Sequence, residues 1–360
     1  RNSSEPIKTT FFIFLFSFIL WCFIYIIFII NKPMSNKVLV TGGSGFIGSH
    51  LVENLLSKKY LVTVLVPYDI NNSIGWLKSL KLKKKLKIVH GDVCDQSLIF
   101  RLVKKNNYVI HLAALISIPY SYQSPSSYVN TNILGTLNIL EACRKYKVNR
   151  MLHTSTSEVY GSAQYTPIDE KHPLNAQSPY AATKVAADQL VLSYFRSFSL
   201  PVAIIRPFNT FGPRQSLRAV IPTIISQVLN GNLDIKLGNI STKRDFTHVK
   251  DTANGFVMAL KAKNIDGEVI NLGTGINFSI KNVIDIISKI TKKKINIIVD
   301  KQRLRPTKSE VSNLLSNNKK AKKILKWKLN YPGKKGFERA MVDTIKWFSE
   351  PKNLKHYDPN

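Results

Sequence analysis

The chain has 360 residues, a length that can bury the core of one large domain or two small ones. Its 44% hydrophobic and 21% charged residues are globular values and exclude an intrinsically disordered chain. A formal net charge of +30 raises the question of whether the chain binds nucleic acid. The lysines are spread along the whole chain without an interleaved aromatic stacking platform, so we expect no nucleic-acid partner and a field that attracts polyanionic substrates.

Three cysteines are widely separated and show no pairing pattern. No cluster of Cys and His has metal-ligand spacing. We therefore expect a reducing compartment, no disulfide and no bound metal.

The first 33 residues form an apolar N-terminal segment. Phe11 to Ile30 is a run of 20 residues with a single polar interruption, long enough to cross a bilayer as a helix. Lys32 and Lys37 follow it, so the positive-inside rule predicts a cytoplasmic catalytic domain, anchored by one N-terminal helix. The alternative is that the protein starts at Met34 and that the upstream residues are not translated.

A strand over Lys37–Thr41 runs directly into a glycine-rich turn, and a helix with one apolar side follows over Ser49–Leu56. This order is typical of dinucleotide binding. Gly42 lets the chain turn sharply, Gly45 lets the backbone reach a pyrophosphate, and Gly48 lets helix and strand pack closely. The helix N-terminus then faces the phosphates. The candidate cofactor-binding residues of this turn are Gly42, Gly45, Phe46, Ile47 and Gly48.

The second predicted strand, Tyr60–Val66, is followed by Asp69, an acid available for a ribose 2′-hydroxyl. No Arg lies between Pro67 and Gly75 to bind a 2′-phosphate. The sequence therefore predicts NAD in preference to NADP.

The third predicted strand, Leu86–His90, leads to Asp92 and Val93, which we place near the adenine. For Asp92 a second interpretation stays open, namely that it caps a helix starting near Gln96.

A fourth strand is predicted over Tyr108–Ala114 and a long helix over Tyr128–Lys147, with Asn132 near its start. The small residues at the strand end let a cofactor approach the backbone, which makes candidates of Leu112, Ala113 and Ala114. Strands and helices alternate throughout, as in a Rossmann-type doubly wound parallel sheet of the α/β class.

Tyr180 and Lys184 lie four residues apart, after Ser178-Pro179 at a predicted helix start. This spacing places both side chains on one face of the helix. A lysine ammonium beside a phenol stabilises the phenolate, so we expect Lys184 to lower the pKa of Tyr180 and make it a usable base.

With these motifs the chain resembles the extended short-chain dehydrogenase/reductase family, from about Lys37 to Tyr331. The resemblance implies that Thr156 and Tyr180 contact the 4-hydroxyl of a nucleotide sugar and that Lys184 also holds the nicotinamide ribose. It implies hydride transfer from C4 to the nicotinamide. It also implies a homodimer formed through the helices that contain Asn132 and Tyr180.

The triplet Thr156-Ser157-Glu158 resembles that of the nucleotide-sugar 4,6-dehydratases, including the GDP-mannose type. In the dTDP-glucose type an Asp usually occupies the place of Ser157 and protonates the leaving hydroxyl. That acid is absent here, so Glu158 is expected both to remove the C5 proton and to protonate the C6 oxygen. A 4-epimerase and a glucuronate decarboxylase remain alternatives. No Arg lies in Asn175–Pro179 to hold a C6 carboxylate, which favours a neutral C6 hydroxyl.

The smaller, mixed C-terminal region is predicted to bind the nucleotide-diphosphate sugar. It comprises residues 206–246 and 275–335, residues 247–274 return to the large sheet, and residues 336–360 form a closing helix and tail. The resemblance assigns substrate contacts to Asn209, Arg214, Gln215, Arg244 and Arg305.

Four stretches resemble the dehydratases of legionaminic acid biosynthesis, which implies a nucleotide-activated N-acetylglucosamine as substrate and leaves the base open. They are Asn71–Trp76, Thr154–Gly161, Pro207–Gln215 and Arg303–Glu310. A non-catalytic nucleotide-binding scaffold is the alternative outside enzymes. The presence of Thr156, Tyr180 and Lys184 together disfavours it.

Overall fold

The computed structural model describes residues 36–80, 84–300 and 306–357. Within these ranges no helix is both long and apolar enough to cross a membrane. The apolar run Phe11–Ile30 and the predicted phosphate ligand Arg305 both lie outside the described residues.

Seven parallel strands form the large sheet, in the spatial order β3-β2-β1-β4-β5-β6-β11. Their bounds are Lys37–Thr41 (β1), Leu61–Val66 (β2), Leu86–His90 (β3), Tyr108–His111 (β4), Arg150–Thr154 (β5), Val202–Pro207 (β6) and Val269–Leu272 (β11). The order reverses between β1 and β4, which is the switch point where doubly wound sheets bind ligands beyond the carboxyl ends of their strands. The predicted fold class is confirmed.

Short strands form three further sheets, in the orders β10-β7, β12-β9-β14 and β13-β8. Their bounds are Asn209–Phe211 (β7), Asp234–Leu237 (β8), Lys243–Arg244 (β9), Phe246–His248 (β10), Phe278–Ser279 (β12), Asn296–Val299 (β13) and Asn313–Leu314 (β14). The β12-β9-β14 sheet contains both parallel and antiparallel pairs, so the substrate region is mixed.

The helices are Phe46–Ser57 (α1), Gln96–Val103 (α2), Ile118–Gln123 (α3), Pro125–Tyr128 (α4), Gly135–Tyr146 (α5), Pro179–Phe198 (α6), Val220–Leu229 (α7), Val249–Lys261 (α8), Ile280–Thr291 (α9), Lys319–Leu325 (α10), Gly333–Phe348 (α11) and Pro351–Leu354 (α12). Apolar residues of α1, α8 and α10 cover one face of the large sheet. Those of α2, α5 and α6 cover the other. Both faces are buried, which explains why β1 reads as continuous Val-Leu-Val rather than as an alternating pattern.

A separate apolar core holds the substrate region together, with α7, α9 and α11 around the β8–β13 pair. The α9 helix begins with a capping box, in which Ser279 and Asn282 each bond the other's backbone N–H. This core is separate from those on the two faces of the large sheet, so the region beyond β6 is stabilised by its own apolar packing.

The structure differs in detail from the sequence expectations at three places. The fourth strand ends at His111, and the chain leaves the sheet after Leu112 N donates to the Thr41 carbonyl at 3.2 Å. Asp95 rather than Asp92 caps α2, and its side chain accepts from Leu98 N at 2.9 Å. The predicted long helix contains a π-helical stretch over Val129–Leu134, directly before α5.

The amide of Asn132 occupies the centre of this π-helical stretch. It donates to the Leu115 carbonyl at 3.0 Å and accepts from Leu115 N at 2.9 Å. It also donates to the Thr183 hydroxyl at 3.1 Å. The widened turn thus ties the loop after β4 to α6, the helix that carries Tyr180 and Lys184.

Candidate active site

Thr156 and Tyr180 come together at the carboxyl end of β5. A 3₁₀ turn over Ser157–Tyr160 follows the strand, and Thr156 caps it by accepting from Glu158 N at 3.2 Å. Tyr180 lies in the first turn of α6, directly after Pro179, and Ser178 caps that helix. The Thr156 hydroxyl interacts with the Tyr180 phenol, so the two predicted hydroxyl groups share one site.

Burial dominates the acidity of Tyr180, whose side chain is only 7% exposed. Desolvation raises its pKa above the ordinary value, and the negative charge of Glu158 raises it further, while Thr156 lowers it. The expected lowering of the Tyr180 pKa is therefore wrong, because removal of the phenol from water has the larger effect. The same result places the Glu158 carboxylate within electrostatic range of Tyr180.

Lys184 lies one helical turn after Tyr180 and is 3% exposed. Burial lowers the pKa of its ammonium to about 8, and the charge of Asp188 opposes that shift. Its Nζ is 3.5 Å from His153 Nε2. Burial also lowers the pKa of His153 well below its ordinary value, so this imidazole is neutral and accepts from Lys184.

A buried ion pair lies beneath the lysine. Both Arg206 Nε and Nη2 donate to Asp188 Oδ2, at 3.1 and 2.8 Å, and Ser155 donates to the same oxygen at 2.7 Å. Arg206 Nη1 reaches the Tyr160 hydroxyl at 3.0 Å. Asp188 and Arg206 are 0% and 2% exposed, so neither charge is screened by water.

This pair changes the charge balance around Lys184. Two cations and one anion are buried together, and the carboxylate of Asp188 is already engaged by Arg206. The charge of Asp188 also raises the pKa of Tyr180, so this network does not by itself favour a phenolate there. The sequence interpretation missed this network, although the repeat of Tyr180, Lys184 and Asp188 at four-residue spacing was a usable signal.

The glycine turn has the geometry of a dinucleotide cradle. Gly42 has φ +70°, and a Cβ there would lie 2.8 Å from Ala113 N, so the chain requires glycine. A Cβ on Gly48 would lie 2.2 Å from the Gly42 carbonyl oxygen, because α1 packs tightly on the turn. A Cβ on Gly45 would contact only the Gly42 oxygen, at an ordinary 3.5 Å.

Internal packing therefore does not account for glycine at position 45. This residue is exposed and immediately precedes Phe46, the first residue of α1, so the open space above it meets the positive end of the helix. A pyrophosphate would fill that space, and the turn fits the phosphates of a dinucleotide. Ile47 is half-buried on α1 and packs against the apolar core on the face of the large sheet that α1 covers.

The other predicted cofactor residues follow the carboxyl ends of β2, β3 and β4. Asp69 is half-buried, and its carboxylate accepts from Asn71 N at 2.8 Å. Asp92 is exposed and accepts from Cys94 N, whereas Val93 is 5% exposed and packs in the core. The half-buried stretch Leu112, Ala113 and Ala114 passes beside Gly42, so its small side chains leave the same edge accessible.

The predicted substrate residues differ in their burial and in their hydrogen-bond partners. The buried Oδ1 of Asn209 and Oε1 of Gln215 have no hydrogen-bond partner among the described residues, which leaves both able to bind a ligand. The Gln215 amide nitrogen donates to the Thr210 carbonyl at 2.8 Å. Arg244 is 6% exposed and pairs with Glu310 at 3.4 Å.

Arg214 is engaged by the cofactor half. Its guanidinium donates to Glu53 Oε2 at 3.0 Å and to Ser49 Oγ at 3.3 Å, both on α1. The preceding carbonyl of Pro213 lies 3.0 Å from His50 Nε2. The structure therefore joins this loop to the dinucleotide helix, and a sugar contact by Arg214 stays a prediction.

Comparison with known proteins agrees with this site. A family model described as GDP-mannose 4,6 dehydratase matches residues 39–340. The human dTDP-D-glucose 4,6-dehydratase is 31% identical over 327 residues, which are 88% of this chain and 91% of that protein.

Two solved structures superpose closely. A dTDP-glucose 4,6-dehydratase from Streptomyces venezuelae with NAD bound has a TM-score of 0.78 at 28% identity, covering 88% of this chain and 98% of that one. A UDP-glucuronic acid 4-epimerase from Bacillus cereus with UDP-glucuronic acid and NAD has a TM-score of 0.79 at 30% identity, covering 89% and 99%.

The fold and the site define a Rossmann-type enzyme that uses NAD on a nucleotide sugar. The chain belongs to the GDP-mannose 4,6-dehydratase family of extended short-chain dehydrogenases/reductases. The predicted family and the predicted cofactor, NAD, are thereby confirmed. Its relatives include both dehydratases and epimerases, so the family alone does not select between water loss and inversion at C4.

Proposed function

We propose that the protein is a 4,6-dehydratase that converts a nucleotide-diphosphate hexose to its 4-keto-6-deoxy product. The observation that supports this most is the position of Glu158. The carboxylate is half-buried, belongs to the turn capped by Thr156, and acts electrostatically on Tyr180. Oxidation and re-reduction at C4 need no such group, whereas elimination across C5 and C6 needs a base beside the oxidised carbon.

Each side chain then has one task. Tyr180 takes the proton of the 4-hydroxyl, Thr156 orients that hydroxyl, and Lys184 stabilises the phenolate. NAD, held by the Gly42–Gly48 turn, would supply the hydride acceptor for C4 and the hydride donor for C6. The 4-ketone acidifies C5, whose proton Glu158 removes and passes to the departing C6 hydroxyl as water. C5 regains a proton as C6 is reduced, and this is in balance the proton that Tyr180 took from the 4-hydroxyl, so the net change is loss of one water.

The loop before Tyr180 supports a neutral C6 substituent. Gln177 lies three residues before Tyr180, in the stretch where a decarboxylase would carry its arginine. Its Oε1 accepts from the backbone and hydroxyl of Ser162, and its Nε2 donates to the Lys308 carbonyl at 2.7 Å. The amide is thus committed to joining two loops, and the stretch 175–179 offers no cation for a carboxylate.

We further propose a nucleotide-activated N-acetylglucosamine as the substrate. The support is the sequence resemblance of four stretches, one of which is the loop Asn71–Trp76. In the structure Trp76 N donates to the Ser44 carbonyl at 3.2 Å, so this loop packs directly on the dinucleotide turn. Incubation with a panel of nucleotide sugars tests the choice: N-acetylglucosamine nucleotides should be turned over fastest, and a preference for plain glucose nucleotides would overturn it.

Glu158→Gln tests the reaction type. The variant should still oxidise C4, seen as the near-ultraviolet absorbance of the reduced nicotinamide in a single turnover, but should lose about 10²–10⁴-fold in water elimination. Glu338→Gln on α11 is a matched control that should behave as the native enzyme.

Product masses separate the competing functions. Loss of one water by the native enzyme supports a dehydratase, an unchanged mass indicates an epimerase, and loss of carbon dioxide indicates a decarboxylase. Full water loss by Glu158→Gln would contradict the role assigned to that carboxylate.

A further inference from the structure

The amino ends of the parallel strands, opposite the active site, carry a concentration of lysines. We call this surface the lysine face. Every member is exposed, and they flank the starts of β1 and β3 or follow the ends of α1, α2 and α5. The members are Lys37, Lys58, Lys59, Lys84, Lys85, Lys87, Lys104, Lys105 and Lys147.

No carboxylate balances these charges. The segments 57–61, 84–87, 104–107 and 146–149 contain no Asp or Glu, and none of the nine lysines forms an ion pair with a described residue. The acids of this end, Asp266 and Glu268, precede β11 at the far edge of the sheet and pair with Arg150 and Lys320. The face is thus uniformly positive from β3 to the start of β5.

Helix dipoles explain only part of the pattern. A cation after a helix C-terminus is favourable, which accounts for residues such as Lys58 and Lys104. Lys37, Lys84 and Lys85 precede or begin strands, so no helix end stabilises them. Like charges gathered without partners repel one another, and an anionic partner would relieve that repulsion.

A cavity of about 320 Å³ opens in the middle of the face. Its rim carries five of the lysines, and its lining includes Leu61, a side chain that is 45% exposed. A basic rim around apolar carbon suits a phosphate group attached to an apolar body. The remaining lysines lie outside this cavity and extend the charge along the face, which an isolated small anion would leave unused.

We propose that the lysine face docks the catalytic unit onto the anionic surface of a phospholipid membrane. Lysines suffice for such a surface, because attraction to anionic headgroups depends on charge rather than on the two-point geometry of arginine. In the sequence, the apolar run ending at Ile30 precedes Lys37 by only seven residues, and a run of that length suits a bilayer. The active site lies at the opposite strand ends and stays open to nucleotide sugars.

Nucleic acid fits the same face less well. Binding of single strands uses exposed aromatic rings between the basic residues. The aromatic residues beside these lysines are already covered: Tyr60 is only 2% exposed and lies under Lys261, and the half-buried Tyr146 packs edge-on against Phe100. The face therefore offers charge without a stacking surface.

The test is an amine-acetylation footprint of the full chain, read by mass spectrometry. Vesicles of phosphatidylcholine with phosphatidylglycerol should protect Lys84, Lys85 and Lys105 several-fold, and high salt should abolish the protection. Vesicles of phosphatidylcholine alone should leave these residues reactive. Equal reactivity in both vesicle types would overturn the proposal, as would protection by duplex DNA without protection by anionic vesicles.

Matched variants assign the effect to the face. Replacement of Lys84, Lys85 and Lys105 by Gln should weaken the anionic part of vesicle binding about a hundredfold. The control replaces three exposed lysines of the substrate region, Lys289, Lys292 and Lys294, and should change it little. Equal losses in the two triple variants would mean that only net charge matters and would overturn a defined docking face.

Discussion

At the carboxyl end of the large sheet, Lys184, Asp188 and Arg206 are each at most 3% exposed and held by specific partners. At the amino end, nine lysines are exposed and form no ion pair with a described residue. One end therefore contains a few charges, each fixed in position by specific hydrogen bonds. The other contains many charges whose positions are set only by where strands begin and helices end.

The difference follows from the surrounding medium. Charges in a dry interior interact strongly, and each must be matched by a partner or by a shifted pKa. Charges at the surface are screened within about 10 Å at ordinary ionic strength, so a partner responds to the charge summed over the patch that it contacts rather than to one side chain. Substitutions at the carboxyl end should therefore act through individual contacts, and those at the amino end through the summed charge of the lysine face.

The largest effect should come from Asp188→Asn. This change leaves Arg206 and Lys184 buried without their carboxylate, and loss of one partner of a buried pair costs about 3–5 kcal/mol. Urea denaturation at neutral pH measures the resulting fall in the free energy of unfolding.

The matched control is Asp285→Asn, which breaks an exposed pair with Lys281 and should cost at most about 1 kcal/mol. If the two changes cost the same, the buried pair does not have the energetic role assigned to it. Asp188→Asn should also lower the pKa of Lys184, because the charge of Asp188 raises that pKa.

A second, smaller effect is the alkaline limit of activity. Burial lowers the pKa of Lys184 from 10.5 to about 8, so the ammonium that stabilises the Tyr180 phenolate is present below pH 8 and lost above it. We expect kcat/KM of the native enzyme to fall about tenfold per pH unit beyond that value. Lys184→Arg stays charged, so its profile should be slower but flat over the same range. An unchanged alkaline limb in that variant would contradict the assignment.

Unfolding does not explain such a fall. The unfolded chain keeps the Lys184 proton up to about pH 10.5, whereas the folded chain releases it near 8. Between these values the unfolded state binds more protons, so this group makes the folded state more stable as pH rises. Loss of activity in that window therefore reports the catalytic ammonium itself.

Local sequence rules predicted the parts of the site that one element controls. The turn from Gly42 to Gly48 and the Tyr180–Lys184 spacing depend on neighbours within a few residues, so their geometry could be inferred from the chain alone. The same holds for Ser178-Pro179 as the start of α6.

Contacts between distant elements could not be predicted in this way. The guanidinium of Arg214 reaches Glu53, which lies 161 residues earlier, and Asp188 meets Arg206 and Ser155 from three different elements. The π-helical turn at Asn132 depends on a carbonyl and an N–H of Leu115 that no local pattern reveals. The predicted direction of the Tyr180 pKa shift was wrong for a related reason, since the burial of its phenol depends on the whole fold.

The smallest effect should come from the lysine face. Replacing Lys84, Lys85 and Lys105 by Gln removes no ion pair with a described residue, so the free energy of unfolding should change by no more than about 0.5 kcal/mol. The sign should be stabilising at low salt, because like charges are removed, and the gain should disappear at high salt. Turnover of nucleotide sugar without vesicles should equal that of the native enzyme. Urea curves at two salt concentrations measure this, and a loss above about 1 kcal/mol would show that these lysines make structural contacts like those at the other end of the sheet.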